Sequence, residues 1–110
     1  MSPEDIVQEV FKRVRESDLR VADLYAYDGQ LEEPFRLHQG REEIRGFYER
    51  VFREIRPLPE VQMLCENLPT VVAVLRVVSA DGSVSQAADV FEVQDGMIRA
   101  MRICPRKVVS

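Results

Sequence analysis

The second half of the chain is a succession of strand-like runs joined by links too short for anything but hairpins. Val61 to Glu66, Val71 to Val78, Val84 to Val93 and Met97 to Cys104 are rich in β-branched and apolar residues. Asn67-Leu68-Pro69, Ala80-Asp81-Gly82-Ser83 and Gln94-Asp95-Gly96 separate them, and Asp-Gly pairs in such places signal hairpin turns. A parallel crossover needs a dozen or more residues, so these strands must run antiparallel. An antiparallel meander is predicted, with Val71 to Val78 as a central strand.

The first half supplies the helices. Ser2 is a good N-cap, Pro3 suits the first helical position, and Glu4 and Asp5 favour the positive end of the helix dipole. Ile6, Val7, Val10, Phe11 and Val14 then recur at helical spacing. Leu19 to Tyr25 reads as a second, short helix ended by Asp28-Gly29, and residues 30 to 35 as a short strand that Pro34 confines to an edge or bend. Gly40 precedes the clearest helix, Arg41 to Ile55, with Ile44, Phe47, Tyr48, Val51 and Ile55 on its apolar face. Arg45–Glu49, Glu49–Arg53 and Arg50–Glu54 are expected to pair on its solvent side, and Pro57 and Pro59 stop it. The order of elements predicts an α+β domain, helices against one face of a curved sheet.

At 110 residues the chain is one domain, residues 1-110, with enough length for a core that needs no metal or disulfide. Its net charge of −4 is spread among interspersed acids and bases, which argues against a nucleic-acid binder. No apolar run is long enough to span a bilayer as a helix. Met1-Ser2-Pro3-Glu4-Asp5 lacks the basic and apolar regions of a secretory signal, so the cytoplasm is the expected location. Cys65 and Cys104 lie in apolar runs and are expected as buried free thiols. No histidine or cysteine cluster has metal-site spacing, and no cofactor is expected.

Two carboxylates break the strand alternation. Side chains two apart share a face of a strand, so Glu33 points the same way as Leu31 and Phe35, and Asp89 the same way as Ala87, Phe91 and Val93. A carboxylate in apolar surroundings is costly unless it is paired or changes its proton affinity, and such groups concentrate at functional sites.

These residues also carry a resemblance. Leu24-Tyr25-Ala26-Tyr27-Asp28 with Leu31-Glu32-Glu33-Pro34-Phe35, the helix start Gly40-Arg41-Glu42-Glu43-Ile44, and Asp89-Val90-Phe91 with Asp95-Gly96-Met97-Ile98 resemble segments of the Δ5-3-ketosteroid isomerases. The chain is similar, more widely, to SnoaL-like proteins of the NTF2-like superfamily. The resemblance implies a cone: a curved, mostly antiparallel sheet wrapped around three helices of the N-terminal half, with a hydrophobic pocket at its open end. It implies a catalytic base at Glu33, where the isomerases have Asp, and an oxyanion-hole acid at Asp89; that protonated aspartate is a known example of burial tuning a carboxylic acid. Val10, or Glu9 if no gap is allowed in the second helix, stands where the isomerases place a second oxyanion donor, a tyrosine. Tyr25 and Tyr48 match supporting tyrosines, and Met101 and Ile103 match pocket-lining positions. With Phe35 and Phe91 these make the expected substrate-binding set. The partner implied is a small hydrophobic carbonyl compound handled by an isomerase or cyclase; a non-catalytic binder or dimerisation module is the alternative, and a homodimer is expected. An epoxide-hydrolase-like site would need Arg two residues before Asp89, where Ala87 stands.

His38 is the only histidine, in what reads as a loop before a helix, and is expected at the surface. Arg76 is expected to pair across the sheet with Glu92 or to lie in a subunit interface. Met63, Met97 and Met101 are expected as core or pocket fillers.

Overall fold

The computed structural model describes residues 1–106. Helix α1 (Pro3–Arg15) opens with the expected cap: the Ser2 hydroxyl accepts from the Asp5 N–H while the Asp5 carboxylate accepts from the Ser2 N–H. This reciprocal box satisfies two N–H groups that the first turn would otherwise leave free. The face Ile6, Val7, Val10, Phe11 and Val14 is buried, as its spacing requires.

The second helix is a 3-10 segment, Leu19–Leu24, capped by Asp18. It ends earlier than expected because Tyr25 already belongs to strand β1 (Tyr25–Glu33). Asp28-Gly29 is therefore not a helix stop. It lies within β1 at a register shift, where a Cβ on Gly29 would sit 3.0 Å from the Ala26 carbonyl oxygen and 3.2 Å from that of Ile98. Only a residue without a Cβ lets the backbone kink so closely.

Pro34 and Phe35 make a turn, and a strand absent from the sequence reading follows, β2 (Arg36–Gln39), paired antiparallel with β1. Helix α2 (Arg41–Glu54) buries Ile44, Phe47, Tyr48 and Phe52. Phe52 takes part of the role expected of Ile55, which is 42% exposed at the C-cap.

The strands β3 (Leu58–Asn67), β4 (Thr70–Val78), β5 (Val84–Gln94) and β6 (Met97–Arg106) form the meander. The sheet order is β2-β1-β6-β5-β4-β3. Every pairing is antiparallel except β1 with β6, which is parallel and joins the two halves of the chain. The sheet curves around α1 and α2, and its concave face carries Val71, Ala73, Leu75, Asp89, Phe91, Ile98 and Met101 into the core.

Several local expectations change. Cys65 is exposed and Cys104 partly so, because both lie on the convex face, opposite the core. Met63 shares that face at 54% exposure. Arg76 pairs with Glu60 on the neighbouring strand at 3.1 Å, not with Glu92, which lies opposite Thr70. The i,i+4 pairs expected along α2 give way to longer-range ones: Arg45 reaches Asp23 at 2.9 Å and Arg50 reaches Glu33 at 3.1 Å. Strand β6 runs past the Cys104 end expected for it, through Pro105 to Arg106, and the rest of the tail expected to be loosely held, residues 107–110, lies outside the described residues.

Candidate functional site

A cavity of about 370 Å³ lies between the concave face and the two α-helices. Its volume falls within the range of small-molecule sites. Val10, Phe11 and Val14 of α1, Phe47 and Tyr48 of α2, Leu75 of β4 and Met101 and Ile103 of β6 give it apolar walls. Room exists because small side chains surround Asp89: Ala73 lies beside it on β4, and Ala87 precedes it by two on the same face. Glu33 and Asp89, separated by 56 positions, both line this one space.

Asp89 is 7% exposed, and its Oδ1 is buried with no hydrogen-bond partner among the described residues. Burial in apolar surroundings pushes its carboxyl up to about 7. At neutral pH the group is thus present in substantial part as the neutral acid, which can donate a hydrogen bond as well as accept one.

Tyr48 reaches the cavity from α2, and its hydroxyl meets the Tyr25 hydroxyl at 2.7 Å. Burial, first of all, pushes both phenols well above their usual range, and the Asp89 carboxylate adds to the effect at each. Both hydroxyls therefore keep their protons. One proton joins the pair, and the other remains for a further acceptor.

Glu33 is held differently. Its Oε2 lies 2.5 Å from His38 Nε2 and 3.1 Å from Arg50 Nη2. Its side chain keeps 24% of its exposure. His38 is not at the surface: it is 3% exposed, because it lies on β2, whose hairpin with β1 turns its ring inward against Phe47. An imidazole can be buried there because the carboxylate satisfies it.

The rest of the expected set divides. Met101, Ile103 and Tyr48 line the cavity, as does Val10. Tyr25 and Phe91 are wholly buried behind the lining, Phe91 packed edge-on against Phe11 with ring centroids 5.8 Å apart. Phe35 is a correction. The turn at Pro34-Phe35 gives it a φ of +73°, which ends the strand alternation, and its side chain is fully exposed. His38 and Arg50 are the site residues that sequence reasoning missed. The available signal was Glu33 itself, an inward carboxylate that needed a partner.

Among the described residues, no three His, Cys, Asp or Glu side chains are grouped to hold a metal ion. No helix among them is long and apolar enough to cross a membrane.

The model of the SnoaL-like domain matches residues 7–101. The chain belongs to the SnoaL-like family. Solved structures agree on the fold. An NTF2-like protein from Cytophaga hutchinsonii superposes with a TM-score of 0.83 at 13% identity, covering 96% of this chain and 91% of that one. A protein from Sinorhizobium meliloti, provisionally named a polyketide cyclase, gives 0.84 at 21% identity, covering 90% and 93%. A protein with a ketosteroid isomerase-like fold from Catenulispora acidiphila, solved in complex with trimethylamine, gives 0.82 at 15%, covering 89% and 82%. No curated protein matches the chain. The SnoaL-like chain therefore has the NTF2-like fold. A fold shared at such identities does not choose a reaction.

Proposed function

We propose that the cavity takes a small hydrophobic carbonyl compound and that the protein moves a proton on it. Glu33 is the base and Asp89 the hydrogen-bond donor to the carbonyl oxygen. One observation carries this reading: two carboxylates on one apolar cavity, one buried without a partner among the described residues and raised toward neutrality, the other held by His38 and Arg50.

The chemistry follows from that division. Glu33 takes a proton from the carbon next to the carbonyl, and the electrons of that C–H bond pass to the oxygen. The neutral Asp89 donates to the enolate as its charge develops, and the Tyr48 hydroxyl, in the arrangement in which Tyr25 donates to it, offers a second donor from α2. Return of the proton to a more distant carbon completes an isomerisation. Attack of the enolate carbon on a second carbonyl of the same molecule forms the C–C bond as that C=O π bond opens, and transfer of the proton from Glu33 to the resulting alkoxide completes a cyclisation.

Steady-state assays of a panel of β,γ-unsaturated ketones test the reading. Wild type is expected to turn over at least one. Glu33→Gln should lose about 1000-fold, within the usual range for a general base, and Asp89→Ala about 100- to 1000-fold, the loss typical of an oxyanion donor. Equal rates for wild type and Glu33→Gln would remove Glu33 as the base. Val10 favours a second reading, a binder without chemistry, because it lines the cavity where the resembled isomerases have a tyrosine donor. Tight steroid binding with no turnover by wild type would select that reading.

The convex face supports a homodimer within the same proposal. Val72, Val74 and Val78 of β4 lie in register with Val90, Ala88 and Val84 of β5, and all six keep part of their surface exposed. Sedimentation equilibrium with Val74→Glu, expected to shift a dimer to monomer, checks it.

A further inference from the structure

At Glu33 the cavity is walled by the end of β1 and the middle of α2, and β2 and Arg50 stand behind that wall, outside the lining. The ring of His38 packs against Phe47 with centroids 5.1 Å apart, and the guanidinium of Arg50 lies over the same ring at 5.8 Å. Both side chains then converge on one atom, Oε2 of Glu33. Oε1 has no hydrogen-bond partner among the described residues. An ionised carboxylate only accepts, so both contacts are N–H groups donating to it.

We propose that His38 and Arg50 are positioning residues, a two-sided clamp that fixes Oε2 and leaves Oε1 as the oxygen offered to a ligand. This inference rests on the reading of Glu33 as the base. A glutamate in a half-exposed site has three torsions and several rotamers, each placing its carboxyl elsewhere. Donors from a strand on one side and a helix on the other select one of them. Phe47 locks both donors in turn, so the clamp is packed and not merely paired. Misplacement of a reacting group by about 1 Å can cost on the order of 100-fold in rate, so such a clamp has a function of its own. It also makes the carboxyl specific to glutamate. A shorter Asp at this position would draw back from both donors.

Methylene carbon relaxation of Glu33 in the ligand-free protein tests the clamp without any substrate. The side chain should be as rigid as the core in wild type. It should average among rotamers in His38→Phe, which keeps an aromatic ring against Phe47, and in Arg50→Met. His38→Gln, whose amide can replace the Nε2 donor, should restore rigidity. Unchanged order in both His38→Phe and Arg50→Met overturns the clamp. Turnover of a β,γ-unsaturated ketone gives the second readout: kcat about 10- to 100-fold lower in His38→Phe and Arg50→Met, KM within about twofold, recovery in His38→Gln, and no further loss in a Glu33→Gln background. Losses that repeat in that background, or a gain in turnover by Glu33→Asp, also overturn it. A wild type with no turnover rejects the proposed proton transfer and leaves the relaxation data to decide the clamp.

Discussion

On the β5 side of the cavity the Asp89 carboxyl sits between Ala73, Ala87 and Ile103, its Oδ1 unpartnered among the described residues, and burial lifts it to about 7. On the β1 side the Glu33 carboxyl has two donors on one oxygen and keeps a quarter of its surface. Both are acids on the same apolar space. In the proposed reaction the unpaired acid keeps its proton and the clamped one receives one. Neither role is written in the residue type.

Neutral isosteres at the two acids should break this symmetry, and the largest effect belongs to turnover. Glu33→Gln removes the base and should lower kcat by about 1000-fold. Asp89→Asn keeps a donor and should lose less than about 100-fold. Equal losses in steady-state assays would mean that the two acids are not divided as described.

Stability should respond to the same pair with opposite signs. An unfolded aspartate titrates near 4, whereas folded Asp89 titrates at about 7. Between these values the folded state binds more protons than the unfolded one. Wild-type stability should therefore fall as pH rises from about 4 to about 7 and stay low above it, by up to roughly 4 kcal/mol. Asp89→Asn should remove the slope and stabilise the protein at pH 8 while changing little at pH 4, as urea midpoints at the two values will show. A flat wild-type profile would remove the desolvated acid. Tyr48→Phe leaves the buried Tyr25 hydroxyl without its partner and should cost about 1–3 kcal/mol. Glu33→Gln, by contrast with Asp89→Asn, should destabilise at neutral pH by about 1 kcal/mol, because its ion pair with Arg50 is partly solvated. Thermal melts of the three variants side by side place these effects in order.

Much of the frame was legible in the sequence because it is written in local patterns. The Ser2 N-cap, the α2 face and the three hairpin links each depend on residues within a few positions of one another. The site was half legible. Parity marked Glu33 and Asp89 as inward carboxylates, and one cavity does hold both. What parity could not supply was β2: Arg36-Leu37-His38-Gln39 is short and polar, and it is a strand only because β1 offers it an edge. His38 was read as a surface residue for that reason. Arg50 was assigned to its own helix because i,i+4 partners are visible in a sequence and a carboxylate 17 positions away is not. Cys65 failed differently. An apolar run on a curved sheet has a convex side, and alternation alone does not say which side is dry.

The parallel join of β1 to β6 has a kinetic consequence. Leu31 lies beside Met101, so the first strand pairs with the last across most of the chain. Pairing so distant in sequence must close a long loop before contacts reward it, which slows folding. Glu33 belongs to the first strand and Asp89 to the β5–β6 hairpin, so no single hairpin of the chain holds both carboxylates. Any molecule that bridges them binds the finished fold alone, and its affinity will appear as added stability of the whole chain.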